Sequence, residues 1–262
     1  MAVHGSQYSI MLQSEGMGII NDALLSRFEN AEFVEGSFTY EHTPAVYRVA
    51  RPGDDLFSEY EKAWKTAGLS TRDLNQTSAY VKVDTSDVGE SCFSLTPYLV
   101  IKNKWMPLSK SLQVKHRGKN EAAMLKTCVN NCFSVFSESF SKEIPKLMTM
   151  TLTYPQQALV RIITKLGINL AGSLGLAENL IQSFERKYDT YSTTVNEYGV
   201  TVPSDDRDIL TAFDVYCFFL EMQYSADFLK LSEMTRVRII EKLYTIPGLD
   251  WEKLDQDGSR YL

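Results

Sequence analysis

The chain has 262 residues and a mass of 29.8 kDa, with 44% apolar and 23% charged side chains, a composition that excludes wholesale disorder. Four cysteines are too few for a disulfide-built scaffold, and 33 acidic against 27 basic side chains, a net charge of −6, exclude a protein that is basic throughout. No stretch approaches 18 consecutive apolar residues and the start, Met1-Ala2-Val3-His4, lacks a basic-then-apolar leader, so we expect no transmembrane span and an intracellular chain of the cytoplasm or nucleus.

In chain order, Ile20, Ala23, Leu24 and Phe28 recur at helical spacing and predict a short helix over 18–28. Phe33-Val34 and Ala45-Val46-Tyr47-Arg48-Val49 read as short strands, separated by Gly36 and Pro44. A helix over 54–67 follows: Asp54 and Asp55 suit its N-terminal end, Phe57, Tyr60 and Trp64 share a face, and Gly68 stops it. Ala79, Val81 and Val83 alternate with Tyr80, Lys82 and Asp84, the pattern of a half-buried strand. Residues 93–101 form a second strand, and Pro97 within it predicts an edge position or a bulge. Leu112 and Val114 continue an extended reading.

The pattern changes near Gly118. Leu125, Val129, Cys132, Phe136 and Phe140 form a helical stripe over 119–140, which Pro145 ends or soon follows. Pro155 suits a first helical turn, and a helix is predicted from there toward Tyr188. Residues 205–224 are apolar nearly all round and predict a central helix, with Asp205-Asp206 at its start. A last helix covers 231–244, and Pro247-Gly248 stops it. This order predicts an α+β fold: a strand-containing N-terminal half with short helices, 1–117, then an all-helical C-terminal half, 118–262.

The charges divide unevenly. Residues 1–101 hold seven basic and fourteen acidic side chains, and residues 127–262 hold thirteen and eighteen. Between them, Lys102, Lys104, Lys110, Lys115, Arg117, Lys119 and Lys126 stand against Glu121 alone. Lysines attract phosphate as point charges, Arg117 can bind it bidentately, and Trp105 offers a ring on which an unpaired base can stack. Lys102, Lys104, Trp105, Lys110, Lys115, Arg117 and Lys119 are therefore the candidate polyanion-binding residues, with single-stranded RNA as the expected partner. An anionic membrane surface is the alternative for the same block.

Twelve uncharged residues, 166–177, include Gly167, Ala171 and Gly175 at i, i+4 and i+8. On one helix these would form a shallow groove for close helix packing or self-association. Twelve residues rise only about 18 Å, too little for the roughly 30 Å hydrocarbon core.

Catalytic and metal motifs are sparse. His4, His42 and His116 form no ligand-spaced pair, and Cys128 and Cys132 sit on one helix face as expected buried thiols, so neither a metal nor a cofactor is predicted. Cys92 with His42, oriented by Asp54 or Asp55, is the one nucleophile arrangement to weigh, a cysteine hydrolase reading that lacks a glycine after the nucleophile. Gly16-x-Gly18 is an incomplete dinucleotide fingerprint, there is no P-loop, and the tail Asp255-Gln256-Asp257-Gly258 cannot align as a calcium loop.

A strand-containing half, a helical half and a basic junction together are similar to the organisation of many viral matrix, nucleocapsid-associated or accessory proteins, a likeness of arrangement alone. The expectation is a non-enzymatic, self-associating or protein-binding interaction protein that contacts RNA or another polyanion through 102–126. The alternatives are a peripheral matrix-like scaffold and the hydrolase.

Overall fold

Strict alternation along strand β3 (Thr77–Thr85) sets the N-terminal framework: Ala79, Val81 and Val83 are fully buried, while Ser78, Tyr80, Lys82 and Asp84 on the other face are half-buried. The structure, a computed structural model, describes residues 13–37, 44–85, 92–115, 120–139, 143–168, 174–189, 193–199, 201–203 and 208–257. Strand β3 pairs antiparallel with β2 (Ala45–Ala50), which pairs with β1 (Glu32–Gly36) at one edge. On its other side it pairs with β4 (Cys92–Ile101). Two short strands then share the remaining side of β4: β5 (Lys104–Pro107) pairs with residues 98–101 and β6 (Leu112–Lys115) with residues 92–95.

That sharing explains Pro97, which lies in an interior strand and not at the predicted edge or bulge. Its carbonyl accepts from the Leu108 amide, so its nitrogen faces the side where β5 has ended and β6 has not begun. The missing N–H costs no ladder bond there.

The inner sheet face, with Phe93, Leu95, Leu99, Met106 and Val114, carries the core of this region. Helix α1 (Gln13–Arg27) packs on α4 (Glu121–Ser139), and α4 packs on β4 and β6, with Ile20, Leu24, Leu125, Val129, Cys132 and Phe136 all buried. Gly16 lies inside α1, not in a loop before a helix. A Cβ there would stand 2.0 Å from the Phe93 ring, so this glycine admits close helix-to-sheet packing and the dinucleotide reading is set aside. The predicted 54–67 helix is a 3₁₀ turn, Asp55–Phe57, running into α2 (Ser58–Thr66), and Gly68 ends it with φ +70°. The one-turn α3 (Thr71–Leu74) follows, capped by the Ser70 hydroxyl, which accepts from the Arg72 amide.

The chain divides into two compact units, Met1–Lys142 and Glu143–Leu262. The division falls after the stripe helix, whereas the change of sequence character placed it near 117. Periodicity marks α4 as a helix but cannot tell that its apolar stripe belongs to the sheet.

Helices dominate the second unit: α5 (Glu143–Thr149), α6 (Pro155–Leu166), α7 (Leu174–Lys187), α8 (Ala212–Met222), α9 (Ala226–Leu229), α10 (Glu233–Leu243) and α11 (Trp251–Leu254). A small antiparallel hairpin of β7 (Thr193–Val195) and β8 (Thr201–Pro203) is the exception to an all-helical half. Pro145 soon follows the end of α4 at Ser139, as expected, and sits in the first turn of α5, where no intrahelical donor is lost. Helix α8 starts after Thr211 and not at Asp205-Asp206, which lie outside the described residues. Thr211 and Asp214 form a reciprocal capping box there. Its side chains Ala212, Phe213, Val215, Tyr216, Phe218, Phe219, Leu220 and Met222 are buried, the all-round burial of a central helix.

The tail has a structural role. The Asp255 carboxylate accepts from the Thr153 amide at 2.9 Å and from the Tyr154 amide at 2.5 Å, beside the N-terminus of α6. Arg161 on α6 returns a bond from Nη1 to the Gln256 carbonyl at 2.9 Å. An acid at a helix N-terminus is electrostatically favoured, so this aspartate ties chain end to helix start.

The continuous helix from Pro155 to Tyr188 is not formed. Helix α6 ends at Leu166, and Gly167 caps it in the left-handed conformation, φ +73°, accepted cheaply only by glycine. Gly175 lies in the next helix, exposed, with nothing within 4 Å of a Cβ placed on it, and Ala171 lies outside the described residues. Gly167, Ala171 and Gly175 therefore do not line one helix face. The i, i+4, i+8 spacing was real in sequence, but one of its members is a stop signal.

Candidate nucleic-acid interface

The basic block does not fold into one cluster. Lys102 and Asn103 form the two-residue turn between β4 and β5, both with positive φ (49° and 64°), the backbone that a tight hairpin requires. Lys102 Nζ is 2.8 Å from the Asp73 carboxylate, so part of its charge is already answered. Lys104 pairs in register with Ile101 at one end of β4, while Lys115 pairs with Cys92 at the other. At about 3.3 Å per residue those positions are about 30 Å apart. Lys110 lies on the connection between β5 and β6, exposed, with no ion-pair partner among the described residues. Arg117 and Lys119 lie outside the described residues. The lysines therefore follow the β5–β6 side of the sheet as a line but not on one face: Lys104, two residues before the buried Met106, takes the inner-face register, opposite that of Trp105.

Three aromatic rings meet beside that line. Tyr80 on β3 and Tyr98 on β4 are directly opposed partners, and Trp105 is opposed to Val100, one pleat further along the same face. The Trp105 ring centroid is 5.0 Å from that of Tyr80, tilted by 43°, and 5.6 Å from that of Tyr98, edge-on at 74°. These are favourable aromatic geometries, and cross-strand pairs of this kind lend rigidity to a sheet face. All three rings are half-buried, on the face opposite the buried Ala79, Val81 and Leu99. The same face carries Arg48, ion-paired to Glu32 at 2.6 Å, and Lys82, ion-paired to Asp84 at 3.4 Å. Such ladders of charge around rings are held loosely, because exposed pairs contribute little on their own.

Chemically, this face offers π surfaces on which planar rings can stack, with Arg48 and Lys82 beside them. Trp105 was legible in sequence, but its two partners were not. Tyr80 and Tyr98 fall at outward positions of their strands, a signal in the alternation, yet only the register across the β3–β4 connection brings them together.

The remaining candidates are placed as follows. Cys92 opens β4, and His42 lies outside the described residues. Both oxygens of Asp54 are engaged, one by the Asn30 amide nitrogen at 2.7 Å and one by the Arg51 backbone amide at 2.8 Å, which holds the start of the 3₁₀ turn. Cys128 and Cys132 are buried on α4, and burial pushes both thiols above their ordinary range, the proximity of Cys128 adding to the effect at Cys132. They behave as core residues, not nucleophiles. Among the described residues, no group of three His, Cys, Asp or Glu side chains is placed to hold a metal ion, and no helix is long and apolar enough to cross a membrane.

No protein-family model, curated protein or solved structure matches this chain.

Proposed function

We propose that this is a non-catalytic interaction protein whose N-terminal unit binds single-stranded RNA or a comparable polyanion along the β5–β6 side of its sheet. The observation that carries the reading is the mutual packing of Tyr80, Tyr98 and Trp105 on one sheet face, with Lys110 and Lys115 on the β5–β6 side beside it. Bases stack on the rings, and phosphates follow the lysines without sequence preference. The proposal also holds the protein to be self-associating, which the exposed Tyr224, Leu229, Met234 and Val237 support by offering apolar surface.

The test is filter binding of a single-stranded RNA between about 50 and 200 mM salt, where neutralising several phosphates gives a steep loss of affinity. Charge reversal at Lys110 and Lys115 should flatten the salt slope and weaken binding. Binding that is absent, or unmoved by those reversals, overturns the proposal. Co-flotation with anionic vesicles but no RNA binding would assign the same lysines to a membrane surface instead.

A further inference from the structure

The outer sheet face continues past the aromatic cluster toward β1. Pairing register sets five outward positions in one cross-strand row: Glu32 on β1, Arg48 on β2, Tyr80 on β3, Tyr98 on β4 and Pro107 on β5. Strands lie about 4.8 Å apart, so the row crosses roughly 19 Å of sheet, with Arg48 the direct neighbour of the rings. Trp105 joins the row through its contacts with Tyr80 and Tyr98.

Arg48 is open to a ligand and is not committed to the core. Its side chain keeps 29% of its surface exposed, and the carboxylate it pairs with, Glu32 at 2.6 Å, keeps 52%. Such a pair contributes little to stability, because water competes for both charges. The guanidinium need only turn from one oxyanion to another, and phosphate accepts the same bidentate fork as carboxylate. Lys82, two residues along β3 from Tyr80 on the same face, repeats the arrangement with Asp84 at 3.4 Å. A planar uncharged ligand would use the rings and leave both ion pairs idle. Rings with cations directly beside them match a ligand in which planar ring and phosphate alternate, the covalent repeat of a single-stranded nucleic acid.

We propose that Arg48 is a phosphate clamp of the RNA site, that Glu32 is the counter-ion which RNA displaces from it, and that the bound strand crosses the sheet from β5 toward β2. The inference rests on the polyanion reading of this face and adds to it a binding residue, an internal competitor and a direction.

The test is a fluorescence-anisotropy titration of the full chain with a short fluorescein-labelled oligouridylate at about 50 mM salt. Arg48→Gln should weaken binding about tenfold, the scale of a lost charge-assisted hydrogen bond, with Arg48→Lys between it and the unaltered chain. Glu32→Gln should tighten binding about threefold, and should not do so when Arg48→Gln is already present. Glu35→Gln removes the same charge from the same strand, opposite Val46, and should leave affinity unchanged. Circular dichroism should show each variant folded. RNA binding that reversal of Lys110 and Lys115 weakens but Arg48→Gln leaves unmoved overturns this inference alone, whereas absence of RNA binding overturns both it and the reading beneath it. Equal gains from Glu32→Gln and Glu35→Gln, or a Glu32→Gln gain that persists without Arg48, also overturn it, since the carboxylate would then act through overall charge.

Discussion

Aromatic side chains do different work on the central helix of the second unit and on the outer sheet face of the first. Those of α8 are interior: Tyr216, Phe218 and Phe219 are buried, and Phe184 on α7 meets Phe218 edge-on at 5.1 Å. In the first unit Tyr80, Tyr98 and Trp105 also touch one another, yet each keeps part of its surface on the outer face of a sheet. The difference follows from period. A strand turns every second side chain away from the core, so its rings can be rigid and accessible together, whereas a helix apolar on all sides has no outward face to offer. Rings of the first kind are suited to binding, and rings of the second kind to stability.

The largest expected effect tests the interior side. Phe219→Ala removes a fully buried ring from α8 and should cost about 3–5 kcal/mol in chemical denaturation, with RNA affinity of the remaining folded protein unchanged. The converse comes next. Trp105→Ala should weaken RNA binding by about 1–3 kcal/mol, the scale of one base–aromatic stack, and Trp105→Phe should restore much of it at unchanged charge. If Trp105→Ala lowers stability as much as Phe219→Ala does and leaves affinity alone, the two sets of rings are not different in kind.

The smallest effects concern the two glycines around the α6–α7 connection. Gly167→Ala forces a side chain into a left-handed cap and should cost about 1 kcal/mol. Gly175→Ala, exposed in α7 with open space around it, should gain a few tenths of a kcal/mol. A shared packing groove would make both changes harmful, so opposite signs in thermal unfolding separate the two arrangements.

Much of the fold was legible where one period dominated. Alternation located β3, the Leu125–Val129–Cys132–Phe136 stripe located α4, and the density of aromatic and aliphatic residues located α8. What stayed hidden depended on partners distant in sequence. Pro97 reads as an edge signal because a lone strand does not reveal that two short strands will divide one of its sides. Gly167 reads as a packing position because spacing alone does not distinguish a helix interior from a left-handed stop. The lysine run is compact in sequence, but a hairpin turn at Lys102-Asn103 and the shared side of β4 draw it out along the sheet. Tyr80 and Tyr98 were missed for the reverse reason: 18 positions separate them, and register alone makes them neighbours.

The central claim is tested most directly by ultraviolet crosslinking of a photoreactive single-stranded RNA to the full chain, followed by mass-spectrometric mapping of the joined residues. The polyanion reading predicts adducts at Tyr80, Tyr98 and Trp105, lost when salt is raised to about 200 mM or when Lys110 and Lys115 are reversed. Adducts confined to Glu143–Leu262, or spread over both units and indifferent to salt, would contradict it.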